Sequence, residues 1–317
     1  MSKTKTQRWK WYALRFIVVA AIFVFLYMTG QLEPARLRKI FVRPEMFGTA
    51  AICMFLHYVI SVQRWRILLK AQDMSLGFWV AMKLTFIGYY FSTAIPGAVS
   101  GDIVKAYYVS KGKEQKAVLI TTVIFDRLLG MYTMVLVAAI AILFTMLQAE
   151  VLGQPSVWSQ QSVKTIGFFT YIFFIFLTLV GIIFTSKKLK ISQFISYILI
   201  KIPFHKTVIK AYEAVHNYGQ KRHFTLNALL LSLLSQFFLY TGIYFLCILL
   251  NITTLTPLNY LFVLPVSLFI NAIPLTPGGL GVGEAGFQGI FLLFGSDKGA
   301  EVAILFHAIF FILAIGL

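Results

Sequence analysis

"TPGGLGVGEAGF", residues 276–287, interrupts one of the most apolar parts of the chain. The run contains a proline, closely spaced glycines and one carboxylate, that of Glu284. Proline and glycine are the two poorest helix formers, so the run predicts that one helix ends here and another begins near Glu284. The segments on either side decide what kind of turn this is.

The composition of the whole chain is typical of a membrane protein. Of its 317 residues, 59% are hydrophobic and only 12% are charged, whereas a soluble domain carries roughly 25% charged residues. Apolar runs recur along the chain, and a helix needs about 20 apolar residues to span a bilayer. We therefore predict an all-α integral membrane protein, a polytopic helical bundle forming a single transmembrane domain over residues 1–317. Non-helical backbone is tolerated at membrane depth only inside protein or beside a wet cavity, so the quoted turn should lie in such a place.

The net charge of +17 indicates a membrane rather than a nucleic-acid partner. Lys and Arg gather in loops beside apolar segments, as the positive-inside rule predicts for cytoplasmic loops. Residues 1–30 place basic residues before an apolar stretch without a clear cleavage site, which favours an uncleaved first span. We predict a multi-pass protein of the cell inner (cytoplasmic) membrane, with a cytoplasmic N-terminus.

The charge distribution also predicts two hairpins that enter the membrane from opposite sides. The basic stretch 186–224, expected to form helices on the membrane surface, should be inside, and the nearly uncharged loop 148–164 outside. Segments 78–110 and 257–294 then become re-entrant hairpins of broken helices, the first opening inward and the second outward. Such an inverted repeat is common in transporters.

The chain is accordingly expected to divide into four parts. A first span and loop occupy 1–46, repeat one 47–147, span five with the basic interfacial helices 148–226, and repeat two 227–317, whose last span is expected to be incomplete. The hairpin turns are assigned to Pro96, Gly97 and Gly101 in repeat one and to Pro277, Gly278, Gly279, Gly281 and Gly283 in repeat two. Two observations oppose the repeat: the loop 30–46 should be outside yet is basic, and the sequence match between the halves is short.

The ionisable residues that follow the two turns are the candidate substrate-binding groups. They are Asp102, Lys105, Asp126, Arg127, Glu284 and His307. Asp126 lies 24 residues after Asp102. His307 lies 23 residues after Glu284, so the spacing of polar residues after the turn is nearly the same in the two halves. An ionisable group inside the bilayer is a functional candidate by default, and the helix N-termini at the two turns attract anions.

Each of these groups also has a structural alternative. Asp102 and Glu284 can simply cap the helices that begin there. Arg127 either receives a phosphate bidentately or pairs with the acid of a hairpin. Lys105 either assists in binding or extends to the cytoplasmic surface.

Other polar residues of the apolar helices are interpreted as structural. His57 is expected to be a hydrogen-bonded core residue, and His307 is either the same or a proton carrier. Arg64 and Lys83 are interpreted as anchors at the membrane interface. The sequence contains no Walker A motif, metal-ligand cluster or GxSxG motif. We therefore predict no cofactor, no metal and no catalytic residue, and a transporter rather than an enzyme.

Three motifs resemble those of a known family: "IPGAVSGDIVKAYYVSK" at 95–111, "FDRLLGM" at 125–131 and "IPLTPGGLGVGEAGF" at 273–287. They are similar to the lysylphosphatidylglycerol synthase transmembrane region, a flippase-like domain of bacterial multiple peptide resistance proteins and of many stand-alone membrane proteins. The resemblance covers residues from about 47 to 317. It departs from the family pattern at His307, where the resemblance implies an arginine.

The resemblance implies movement of a lipid between leaflets, with residues 1–317 lacking the soluble domain that performs aminoacyl transfer. The implied partner is an anionic or aminoacylated phospholipid or a polyprenyl-phosphate lipid, whose phosphate-bearing headgroup crosses the membrane. Three other functions stay open: a membrane scaffold, an embedded enzyme of envelope-lipid metabolism, and a transporter of small solutes.

Overall fold

The computed structural model describes residues 43–94, 100–152, 160–185, 205–273, 279 and 281–316. Within these residues the fold is entirely helical, which confirms the all-α prediction. The helices are α1 Pro44–Ala71, α2 Phe78–Ala94, α3 Ser100–Ser110, α4 Lys116–Leu152, α5 Gln161–Thr185, α6 His205–Gln220, α7 Arg222–Leu249, α8 Pro257–Asn271, α9 Val282–Leu293 and α10 Gly299–Gly316. The expected first span and the turn residues Pro96, Gly97, Pro277 and Gly278 lie outside the described residues.

Among the described residues, four helices are long and apolar enough to cross a membrane. They are Pro44–Ala71, Lys116–Leu147 within α4, Gln161–Ile183 within α5, and Arg222–Leu249. Helix α5 is the least buried of them, and large apolar side chains such as Phe168, Phe169 and Leu179 are exposed on it. Exposed apolar surface on this scale is stable in hydrocarbon rather than in water, so the chain is a multi-pass membrane protein.

Helices α1 and α7 pack together along their lengths and run antiparallel. The hydroxyls of Ser61 on α1 and Ser235 on α7 are 2.9 Å apart. Toward the start of α1, the Ala50 carbonyl lies against Gly242, where a Cβ would come within 3.1 Å of it. Residue numbers therefore fall on α7 as they rise on α1. Because these helices occupy matching positions in the two predicted repeats, antiparallel packing is what an inverted repeat requires.

The remaining helices repeat the same contacts in each half. Helix α2 packs on α3 and α8 packs on α9, so each half contains a helical hairpin. The second helix of each hairpin packs on the helix that follows it, α3 on α4 and α9 on α10. The first helix packs on the last helix of the other half, α8 on α4 and α2 on α10. Each hairpin is thus packed against the last helix of the other half, while its re-entrant path through the membrane stays a prediction.

Two segments differ from the sequence-based expectation. Helix α1 continues to Ala71 instead of ending at Arg64, because the charge of Arg64 is neutralised inside the protein and does not have to reach a membrane surface. The part of the basic stretch that is described forms α6, which packs on the bundle rather than only on lipid. Tyr218 of α6 stacks on Phe125 of α4 at 4.1 Å between ring centroids, and the Gln72 amide donates to the Ala214 carbonyl at 2.7 Å.

The close approach of α2 and α3 depends on a glycine. A Cβ at Gly101 would overlap the Ser92 hydroxyl and the Gly88 carbonyl of α2. We expect Gly101→Ala to lower the free energy of unfolding in mixed detergent micelles by about 1–3 kcal/mol, the cost of overpacking. Gly289→Ala is the matched control, because no atom lies within 4 Å of the corresponding Cβ on α9 and alanine favours helix. Equal stability of the two variants would contradict this packing.

Candidate functional site

A polar cavity of about 290 Å³ lies at the centre of the bundle, where the two hairpins meet α1, α4 and α10. Five of the six predicted substrate-binding residues line it: Asp102, Lys105, Asp126, Arg127 and His307. The sixth, Glu284, lies behind His307, with its carboxylate 2.9 Å from the ring nitrogen Nδ1. The structure therefore brings together residues from both halves of the chain that lie up to 205 positions apart.

Asp126 pairs with Arg64, which was expected to lie at the membrane interface. Arg64 Nε lies 2.7 Å from Asp126 Oδ1, and the Arg64 side chain is only 9% exposed. Its Nη1 also donates to the Ser232 hydroxyl of α7 at 2.8 Å. The interpretation of Arg64 as an interface anchor was therefore wrong. The signal was its position on the same helical face as His57 and Ser61, at i, i+4 and i+7, which are both cavity residues.

Arg127 and Asp102 form the second ion pair of the cavity. Arg127 Nη1 donates to Asp102 Oδ2, and 28% of each side chain is exposed. Two alternatives were open for Arg127. The structure shows the second, in which Arg127 pairs with the acidic residue of a hairpin. Asp102 is in the first turn of α3, where a carboxylate is also favoured by the helix dipole.

Lys105 differs from these arginines because its ammonium has no carboxylate within hydrogen-bonding distance. Its Nζ is 3.9 Å from Asp126 Oδ2 and 3.8 Å from the centroid of the Trp65 ring. Within the part of the chain that the structure describes, no hydrogen bond to this ammonium is formed. The Lys105 side chain is 8% exposed, so of its two alternatives the structure excludes extension to the cytoplasmic surface. A buried ammonium with open N–H donors can receive an oxyanion.

Glu284 and Asn271 of the second hairpin form a chain of polar side chains with His307 of α10. Glu284 Oε2 accepts the N–H of Gly281 at 2.5 Å, as the third residue of a capping box does. Its Oε1 contacts His307 Nδ1, and His307 Nε2 lies 3.1 Å from Asn271 Oδ1 at the end of α8. Glu284 is therefore both a cap and the partner of a buried histidine. Asn271 was not among the predicted site residues. A signal for it is present, because "NAIP" at 271–274 resembles "TAIP" at 93–96, at the corresponding place in the first hairpin.

The glycines of the quoted turn make room for the Asn271 amide. A Cβ at Gly279 or Gly283 would overlap Asn271 Oδ1. Gly279 and Gly281 also have φ values of 79° and 84°, in the left-handed region that side chains rarely adopt. The glycine-rich run is thus required both by its backbone and by close contact with a polar side chain.

Other predicted or interpreted residues have structural partners. His57 Nδ1 lies 2.9 Å from the Ser235 carbonyl and 2.8 Å from its hydroxyl, as expected of a hydrogen-bonded core residue. Lys83 is exposed on α2, away from the cavity lining. Among the described residues, no group of three His, Cys, Asp or Glu side chains is placed to hold a metal ion.

An apolar groove of about 530 Å³ adjoins the polar cavity. It lies between α4, α5 and α8 and is lined by side chains such as Ile166, Phe173 and Phe269. Met134 of α4 lines both spaces, so the polar cavity and the apolar groove are neighbours across one side chain. The arrangement can accommodate a molecule with a charged end and a hydrocarbon end.

Known proteins with similar sequences share the membrane character of this chain. The sequence profile of the lysylphosphatidylglycerol synthase TM region matches residues 12–317. A UPF0104 membrane protein from Pyrococcus horikoshii is 26% identical over 319 residues, covering 93% of this chain and 90% of that protein. No solved structure matches the chain.

Proposed function

Because the chain belongs to the lysylphosphatidylglycerol synthase TM region family, we propose that it moves a phosphate-bearing lipid between the leaflets of the cell inner membrane. The headgroup crosses in the polar cavity between the hairpins. The hydrocarbon chains stay in the bilayer and in the apolar groove. The protein acts as a transporter and not as an enzyme, with its N-terminus in the cytoplasm.

The observation that carries the proposal is the contact of a charged cavity with an apolar groove at Met134. A transporter of small solutes needs the polar cavity alone. A lipid translocator needs both spaces side by side, because headgroup and tails must be solvated differently during crossing. The groove volume of about 530 Å³ is in the range of pockets that bind small apolar ligands, roughly 300–1,000 Å³.

The charge of the cavity supports a phosphate-bearing headgroup. Arg64, Lys105 and Arg127 supply three positive charges, and Asp102 and Asp126 supply two negative charges, so the lining carries one net positive charge when its histidines are neutral. The two arginines are held by the two aspartates. The surplus charge therefore resides on Lys105, which we propose as the main contact of the phosphate. An aminoacylated headgroup would additionally place its amine beside the more exposed Asp102.

The alternative functions have less support. A scaffold has no need of buried charges, whose desolvation costs several kcal/mol per ion. An embedded enzyme acting on a lipid phosphate would use a metal cluster or an activated nucleophile, and the contacts of the cavity are ion pairs and open N–H donors instead.

The test is lipid transfer in proteoliposomes. Wild-type protein is expected to move fluorescent NBD-phosphatidylglycerol or NBD-polyprenyl phosphate between leaflets faster than protein-free vesicles, measured by dithionite quenching. Lys105→Met should lower the initial rate about 10- to 100-fold, because it removes one charge-assisted hydrogen bond of about 1.5–3 kcal/mol. Lys83→Met is the matched control and should transfer at the wild-type rate.

The possible outcomes test the proposed function and the role of Lys105 separately. No transfer of either probe by the wild-type protein would overturn the proposed function. Transfer at equal rates by wild-type protein and Lys105→Met would retain translocation and overturn the role of Lys105. Mass spectrometry of lipids that co-purify with the wild-type protein would identify the headgroup class.

A further inference from the structure

The side chains of His307, Glu284 and Asn271 form a buried chain whose charge can change. Both ring nitrogens of His307 face oxygen atoms, Nδ1 at 2.9 Å from Glu284 Oε1 and Nε2 at 3.1 Å from Asn271 Oδ1. A carboxylate and an amide oxygen only accept hydrogen bonds, and only the imidazolium form of histidine donates from both nitrogens. The arrangement therefore fits a protonated His307 beside an ionised Glu284.

Beside an ionised Glu284, the neutral form of His307 requires one rearrangement. Loss of the proton from Nε2 leaves a lone pair facing Asn271 Oδ1, which is repulsive. A half-turn of the Asn271 amide replaces that oxygen by an NH₂ donor and restores the hydrogen bond. Asn271 Oδ1 lies where a Cβ of Gly279 or Gly283 would be, so this rotation changes the contacts of the second hairpin turn. Protonation and turn contacts are thus linked through a single amide group.

The first half of the chain holds the matching pair with a fixed charge. Asp102 and Arg127 are 25 residues apart, and Glu284 and His307 are 23 residues apart, each pair joining the start of a hairpin helix to the next helix. A guanidinium stays protonated in proteins, whereas histidine changes charge between about pH 5 and 8. The cation of the first pair is therefore fixed, whereas the cation of the second pair is a side chain that can bind and release a proton.

His307 separates the cavity from Glu284, so a proton on its ring adds charge to the headgroup site. On the helices that pack against α10, the other ionisable groups lining this cavity are His57, Tyr58 and Arg64 of α1 and Tyr89 of α2. Helix α7 contributes Gln236, which does not titrate, and α9 contributes Glu284. Across the cavity, the acids of α3 and α4 are already paired with arginines. With Glu284 counted, the three cations and three acids of the site balance while His307 is neutral, and a proton on His307 gives the site one net positive charge.

We infer that His307, Glu284 and Asn271 form a proton-binding site that couples proton uptake to binding of an anionic headgroup. One proton from the aqueous cavity binds the lone pair of Nε2 and later leaves from the same atom, and no other bond is made or broken. By thermodynamic linkage, the proton strengthens headgroup binding and the headgroup strengthens proton binding by the same factor. The coupling rests on the proposed function, whereas the proton-binding site itself does not.

Solid-state ¹⁵N NMR of histidine-labelled protein in proteoliposomes tests the site directly. The His307 signal is identified among five histidines by its loss in His307→Gln, and it should change from the imidazolium to the neutral form between about pH 5 and pH 8. In vesicles that contain phosphatidylglycerol, the protonated-to-neutral ratio at fixed pH should rise about fivefold or more over phosphatidylcholine vesicles. The exposed His223 reports the effect of membrane surface charge on local pH, and His307 should exceed it.

A lipid-transfer assay tests the coupling between the proton and the headgroup. At low NBD-phosphatidylglycerol content, the wild-type rate should rise about tenfold from pH 8 to pH 6 as histidine gains its proton. His307→Arg, which keeps a positive charge at this position, should lose that dependence, and His223→Gln should retain it.

A His307 signal that does not change between pH 5 and pH 8 overturns the inference, even if lipid is transferred. A titrating His307 with no response to phosphatidylglycerol overturns the coupling. A titrating His307 in a protein that transfers neither probe overturns the proposed function and retains the proton site.

Discussion

Asp126→Ala is expected to lower the free energy of unfolding by about 3–5 kcal/mol, because it leaves the buried Arg64 without a counter-charge. The guanidinium of Arg64 is held 2.7 Å from Asp126 inside the bundle. Ser232 and Lys105, its other neighbours in this network, offer a neutral hydroxyl and a second positive charge. Unfolding of the protein in mixed micelles with increasing SDS, followed by circular dichroism, measures the effect.

An exposed ion pair of the same protein serves as the control. Lys221 Nζ contacts both carboxylate oxygens of Asp73 at 2.7 Å, but the Asp73 side chain is 87% exposed. Asp73→Ala should therefore cost less than about 1 kcal/mol. The double variant Arg64→Met with Asp126→Leu should lose less stability than Asp126→Ala, since it removes both buried charges. If Asp126→Ala and Asp73→Ala are equally stable, the buried pair does not hold the bundle together.

Glu284→Gln is expected to slow lipid transfer about 10- to 100-fold while leaving the fold close to that of the wild type. Glutamine also serves as the third residue of a capping box, so it can still accept the Gly281 N–H. It cannot balance a proton on His307, so His307 stays neutral and no buried charge is left unpaired. The headgroup site then lacks one charge-assisted interaction of about 1.5–3 kcal/mol, with tenfold in rate for each 1.4 kcal/mol. The NBD-phosphatidylglycerol assay measures the rate, and SDS unfolding measures the fold.

Glu284→Ala provides the comparison that separates the two roles of this carboxylate. It removes both the cap and the charge, so it should lose transfer and also about 0.5–2 kcal/mol of stability. A Gln variant with full transfer and full stability would mean that Glu284 is only a helix cap. A Gln variant as unstable as the Ala variant would instead mean that the charge, rather than the cap, maintains the second hairpin.

The sequence by itself determined the class of the fold and most members of the site. An apolar composition and loop charges are enough to predict a helical membrane protein, since every backbone polar group in lipid must be satisfied within helices. Ionisable residues in apolar segments are costly unless they converge on one another. For that reason Asp102, Lys105, Asp126, Arg127 and His307 could be selected as one site before their contacts were known, and the structure places them around one cavity.

Only the tertiary structure decided which of these groups pair and which stay available. Arg64 was interpreted as a surface anchor because it stands near the end of an apolar run, but its partner Asp126 lies 62 residues away on another helix. Lys105 was expected either to assist in binding or to extend to the membrane surface. In the structure its ammonium is buried and lies beyond hydrogen-bonding distance of Asp126, while Arg127 is held by Asp102. Partner choice depends on distances of a few ångströms between side chains on different helices. Helical periodicity specifies which face a residue occupies. The antiparallel packing of α1 and α7, and the packing of each hairpin on the last helix of the other half, set those distances.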